Sequence, residues 1–127
     1  MSRLYNILAT IISKLGVDFI VDQGVTNSWK WRKWNSGKYE CWLNTFGKQN
    51  VSFSAWGSLY YADIDGPTFP ITFAANPDAI LTPFGSQAYL IGFYGLSTTG
   101  IAKIRVGHNS TSPEAAYVNI YVHGRWK

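Results

Sequence analysis

The chain has 127 residues, of which 46% are apolar and only 14% charged, and it carries a formal charge of +4. That length suits one domain with a core of its own. A charged share this far below the usual value of about 25% excludes a disordered tail and points to surface covered by a partner. The basic residues are too scattered for a nucleic-acid domain. Their densest group, Lys30, Arg32, Lys33 and Lys38, is interleaved with Trp29, Trp31 and Trp34 and reads as a strand whose cationic stems lie beside rings. The single cysteine, Cys41, excludes an intrachain disulfide and reads as a small buried residue. No apolar run is long enough to span a membrane, and no cleavable leader is evident. The expectation is synthesis in a reducing cytosol, with neither nucleic acid nor membrane as partner.

Residues 2–15 are predicted to form a helix. Leu4, Leu8, Ile11 and Leu15 recur at heptad spacing, Ile7 and Ile12 widen the stripe, and Arg3, Ser13 and Lys14 are its solvated side. Gly16 is the stop signal. Two heptads are too short to stand alone in water, so the helix must dock on its domain or on its own copies. The expectation is the end of a three-stranded stalk over residues 1–16 and a head domain over 17–127. From Val17 the period changes, and strands are predicted over 17–22, 28–34, 39–46, 51–61, 69–75, 87–94, 101–107 and 115–124. Turns are expected at Asn35–Gly37, Asp65–Pro67 and Asn109–Pro113. Many short strands without intervening helices indicate an all-β fold, a jelly-roll-like β-sandwich with a short N-terminal helix. The final strand alternates cleanly. Val118, Ile120 and Val122 point to one side, and Tyr117, Asn119, Tyr121 and His123 to the other, an aromatic-polar face suited to a subunit contact.

Chemistry-bearing motifs are sparse. Glycosidase work needs two carboxylates across a sugar, and the close pair in the sequence is Asp63 and Asp65. Asp-x-Asp-Gly resembles the start of a calcium loop but lacks the later ligands, and a solvated turn accounts for it. No nucleophile elbow, phosphate loop or zinc motif is present. His108 lies in a polar turn. A threefold assembly could gather copies of His123, although no spacing signature supports a metal there. The expectation is a non-enzymatic chain with no metal and no cofactor. Aromatic rings stack on sugar faces, which makes Trp56, Tyr60, Tyr61, Tyr89 and Tyr94 candidates by type. The stretch from Gly57 to Asp65 adds acids that can bind hydroxyls, so the candidate ligand-binding set is Trp56, Tyr60, Tyr61, Asp63 and Asp65.

The run Trp29-Lys-Trp-Arg-Lys-Trp-Asn-Ser-Gly-Lys-Tyr-Glu-Cys-Trp42 is distinctive. It resembles the W-x-[YW]-R-K-W-x-x-G-x-x-E-C-W signature of the C-terminal head domains of phage and prophage tail or collar fibre proteins. The preceding Asp18-Phe-Ile-Val-Asp-Gln-Gly24, the central Phe69-Pro-Ile-Thr-Phe73 and the ending His123-Gly-Arg-Trp-Lys127 are similar to further segments of that group, the last suggesting a true C-terminus. The resemblance implies a virion protein of the tail fibre or tail tip, made in a bacterial host and homotrimeric. It implies a tip that contacts the host surface and supplies no binding residues; together with the heptad stub and the aromatic excess, it makes host-surface carbohydrate the expected partner. A purely structural fibre or baseplate piece, a glycan-degrading enzyme and a host lectin are the competing readings. Within the signature, Glu40 is expected to pair across its hairpin with Arg32 or Lys33.

Overall fold

The computed structural model describes residues 3–84 and 88–127; the side chains of Tyr5, Ile12 and Ser13 lie outside the description. Ser2 and Gln87, where the predicted helix and one predicted strand begin, also lie outside it. A helix, α1 (Arg3–Lys14), precedes nine strands. These are β1 (Ile20–Thr26), β2 (Trp29–Trp34), β3 (Lys38–Val51), β4 (Ser54–Trp56), β5 (Leu59–Asp65), β6 (Asp78–Pro83), β7 (Tyr89–Leu96), β8 (Ile101–His108) and β9 (Glu114–Arg125).

The strands form two antiparallel sheets, ordered β1-β2-β3-β9-β6 and β4-β5-β8-β7. From β3 onward the chain passes repeatedly from one sheet to the other, so that β9 lies between β3 and β6 while β8 lies between β5 and β7. This is the wrapping of a jelly roll. The core sits between the sheets. Period-2 alternation sends Ile104 and Val106 inward from β8, Val118, Ile120 and Val122 inward from β9, and Cys41 inward from β3, all of them fully buried. Burial pushes the Cys41 thiol up to about 12, so it is an apolar core residue.

Several boundaries differ from the sequence expectation. The predicted single strand over 51–61 is folded back on itself: Gly57, at φ 61°, makes the turn that joins β4 to β5. Residues 69–75, predicted as a strand, are irregular apart from the isolated bridge between Thr68 and Gly100 just before them. Phe69 and Phe73 are nevertheless buried, and their amides donate to Thr99 and Thr98 carbonyls of the β7–β8 loop. Pro70 removes a ladder donor, which explains why an apolar run packs here without pairing. The strand in this region is β6, an edge strand that begins after Pro77 and ends at Pro83. The first hairpin turns through Asn27 (φ 50°) and Ser28 (φ 69°), two left-handed residues as a type I′ turn requires.

The segments that carry the family resemblance meet in space. The Trp126 indole donates to the Trp34 carbonyl at 2.9 Å, and the Trp126 amide donates to the Gly37 carbonyl at 3.0 Å. Arg125 donates to the Ser36 carbonyl, and Ser36 donates in turn to Asp18. Gly37 has φ 101°, and a side chain there would strike the Arg125 guanidinium. On the inner side, Phe69 packs edge-on against Trp29 and Phe73 against Tyr39. These contacts tie Asp18, the 69–73 segment and the C-terminal segment to the β2–β3 hairpin.

Candidate functional site

Each sheet turns one face away from the core, and the two outer faces are built differently. On the smaller sheet, alternation sends Tyr61, Asp63 and Asp65 outward from β5, and Tyr60, Ala62 and Ile64 inward. Tyr60 therefore leaves the candidate binding set: it packs against the core, because adjacent strand residues cannot share a face. The remaining four candidates lie together on the outer surface.

At the centre of this surface is Arg105, which the sequence did not single out. The register pairs β5 with β8 so that Asp63 faces Arg105. The guanidinium donates from Nε to Asp63 Oδ1 at 2.7 Å and from Nη2 to Oδ2 at 2.8 Å. Three rings surround it, with centroids 4.6 Å (Tyr61), 5.8 Å (Trp56) and 5.8 Å (Tyr94) from its carbon. The Tyr94 hydroxyl also donates to Asp63. The Arg105 bond and the Tyr94 bond together outweigh burial and hold the Asp63 carboxyl down at about 2. Two residue pairs further along, Lys103 is ion-paired with Asp65 and lowers its carboxyl. Both acids of the Asp-x-Asp pair are thus engaged by cations, which leaves neither set up as the general acid of a glycosidase. Around this cluster, Trp56, Leu59, Tyr89, Ile91 and Tyr94 are 41–56% exposed.

The larger sheet presents the alternating residues Arg32 of β2, Glu40, Trp42 and Asn44 of β3, Ile80 and Thr82 of β6, and Asn119, Tyr121 and His123 of β9. The registers lay Trp42, Tyr121 and Ile80 in one row across the sheet, and Arg32, Glu40, His123 and Asp78 in the next. Glu40 is buried. It accepts the Trp34 indole at 2.9 Å and the Tyr121 hydroxyl at 2.6 Å, and Lys38 stands 3.8 Å away. Burial alone would raise its carboxyl; the Tyr121 and Trp34 donors, with Lys38 and Arg32 nearby, override this and lower it. Tyr121 is pushed up to about 12 by burial and by Glu40.

The expected pairing of Glu40 with Arg32 or Lys33 is replaced by these contacts. Lys33 lies on the inner side of the hairpin over the Tyr39 and Trp126 rings, and Arg32 lies over the Trp42 ring at 5.1 Å. Tyr121 stacks on His123 at 5.6 Å. Around Tyr121 the face is hollowed into an open groove of about 360 Å³, lined by Trp42 and Ile80, by Arg32 and Glu40, and by Asn44, Thr82 and Asn119. A second, polar cleft of about 470 Å³ lies at the edge between β3 and β5, flanked by Lys48, Asn50, Asp65 and Lys103. His108 is stacked on Phe53 and stands 4.0 Å from Glu114. Among the described residues, no group of three or more His, Cys, Asp or Glu side chains converges on a point, and no helix is long and apolar enough to cross a membrane.

No family model matches the sequence, and no curated protein does. Among solved structures the chain is similar to an N-truncated R1-type pyocin tail fiber, with a TM-score of 0.53 and 18% identity. The match covers 91% of this chain and 94% of that one. At that identity the likeness is one of fold.

Proposed function

We propose that this chain is a non-catalytic, homotrimeric tail-fibre head domain, part of a virion and synthesised in the cytoplasm of a bacterial host, that adheres to carbohydrate on the host surface. The observation that carries the reading is the shared fold with a pyocin tail fiber across nearly the whole of both chains. The helix supports it. Leu4, Ile7, Leu8, Ile11 and Leu15 are 49–73% exposed, so among the described residues the stripe predicted from the heptad spacing is largely uncovered. Apolar residues at that spacing are satisfied when parallel copies interlock. In this reading residues 1–16 end a stalk and residues 17–127 form the head. The β4-β5-β8-β7 outer face suits a contact between heads. Its charges cancel locally, and Trp56, Leu59, Tyr89 and Ile91 remain uncovered.

Light scattering tests the assembly. A trimer is expected at micromolar concentration, and Leu8→Asp with Ile11→Asp should weaken it; a wild-type chain that stays monomeric at tens of micromolar would sink the claim. Binding to whole host cells, lost after stripping their surface polysaccharide, tests adhesion. A second reading, a structural fibre piece without a ligand, is favoured by the internal pairing of Asp63 with Arg105 and Asp65 with Lys103, which leaves those acids little capacity for sugar hydroxyls. A trimer that binds no host surface would select it.

A further inference from the structure

We propose that the groove beside Trp42 on the β1-β2-β3-β9-β6 sheet binds sugar units bearing an anionic group, a carboxylate or a phosphate. This rests on the adhesion reading above and names the surface and the ligand chemistry for it. The groove, at about 360 Å³, is within the size range of small-ligand sites. Its lining is mixed as a pyranose requires. Trp42 and Ile80, the latter 55% exposed, offer apolar contact to a ring face. Asn44, Thr82 and Asn119 offer amide and hydroxyl groups to ring substituents.

Arg32 supplies the preference for charge. Asp63, Asp65 and Glu40 each have a cation within 4.0 Å, and among the described residues none of them is Arg32. Glu40, directly across the register from Arg32, has its oxygens committed to Trp34 and Tyr121. The Arg32 guanidinium instead lies over Trp42, which holds the planar fork in place. Glu40 also lines the groove and its ionised carboxyl feels the Arg32 charge, but its oxygens are taken by Trp34 and Tyr121. Among the described residues no carboxylate is hydrogen-bonded to the Arg32 fork, which is suited to bidentate capture of an oxyanion.

The end of the groove is also held under strain. Thr45 has φ 59°, left-handed for a β-branched residue, at the β3 bulge between Leu43 and Phe46. Its amide donates to Asn119 Oδ1 at 2.9 Å, which fixes the Asn119 side chain and leaves its amide NH2 for a ligand. Strained backbone over-determined by its surroundings recurs at ligand sites.

The test is an array of purified bacterial surface polysaccharides, acidic and neutral, probed with the full chain. The hits are then titrated calorimetrically against wild type, Arg32→Gln, Asn44→Ala and Lys48→Ala. Acidic glycans should dominate the hits. Arg32→Gln should weaken them about tenfold or more, as loss of a hydrogen bond to a charged group does. Asn44→Ala should weaken them less, and Lys48→Ala, at the polar cleft between β3 and β5, should leave them unchanged. Carboxyl reduction or phosphatase treatment of the glycan should reproduce the Arg32→Gln loss, and whichever does so identifies the anion. Equal binding of neutral glycans, full binding by a folded Arg32→Gln protein, or loss confined to Lys48→Ala would overturn the groove while leaving adhesion standing. An array without hits, together with no binding to host cells, would overturn the adhesion reading and this inference with it.

Discussion

The two outer faces of the sandwich carry similar residue types and use them in opposite ways. On the β4-β5-β8-β7 face the cation, the acid and the rings satisfy one another: Arg105 is held by Asp63 and surrounded by Tyr61, Trp56 and Tyr94. On the β1-β2-β3-β9-β6 face the acid is satisfied without the central guanidinium, so Glu40 turns to Trp34 and Tyr121 and Arg32 is left over a tryptophan beside an open groove. Composition alone does not distinguish a surface that recognises something from one that is already saturated. What separates them is whether each polar group has spent its hydrogen-bonding capacity inside the chain.

The largest expected effect falls on the acid of the groove face. Glu40→Ala strands the Trp34 indole and the Tyr121 hydroxyl, and should cost about 3 kcal/mol in chemical denaturation, as breaking a buried polar network does. A loss below that of Asp63→Ala would reverse the contrast between the faces. Next comes the pair of adjacent tyrosines. Tyr60→Ala opens the core and should cost about 2 kcal/mol, whereas Tyr61→Ala on the outer face should cost about 1 kcal/mol or less. Equal losses would mean that β5 does not alternate as described.

Asp63→Asn should cost under about 1 kcal/mol at neutral pH, since the pair with Arg105 is partly solvated. Its pH dependence follows from the lowered carboxyl. A group whose folded value lies below its ordinary one stabilises fully above that ordinary value, 3.8, and the contribution disappears as pH falls towards about 2. Thermal melts of wild type and Asp63→Asn should therefore differ at pH 6 and converge between pH 4 and pH 2. A gap that persists at pH 2 would assign the stability to something other than the Asp63 charge.

The segments of family resemblance were legible in the sequence as motifs, and their role was half legible. The hairpin at Asn35–Gly37 and the alternation of β9 stand as expected from turn chemistry and period. That Trp126 would close on Trp34, 92 residues away, was not readable, since no local rule couples them. Two errors were local. Residues 69–75 have a strand's composition, but Pro70 and the packing of Phe69 and Phe73 win over pairing. β6, with Ile80 exposed between Ala79 and Leu81, is short and bounded by prolines, and it gave too weak a period to be seen. Tyr60 of the candidate set turns inward because β5 alternates and its Tyr60, Ala62 and Ile64 side meets the core.

The sequence by itself determined the all-β class, the exposed heptad stripe of α1, the buried row from Val118 to Val122 and the absence of a disulfide. These follow from spacing and residue type within a few positions of the chain. Only the tertiary structure decided which charges are spent. Asp63 meets Arg105 across 42 residues and Glu40 meets Tyr121 across 81, and both encounters are set by strand register. Register is an outcome of the whole sheet's packing, so the difference between a saturated face and an open one appears only after the strands are in place.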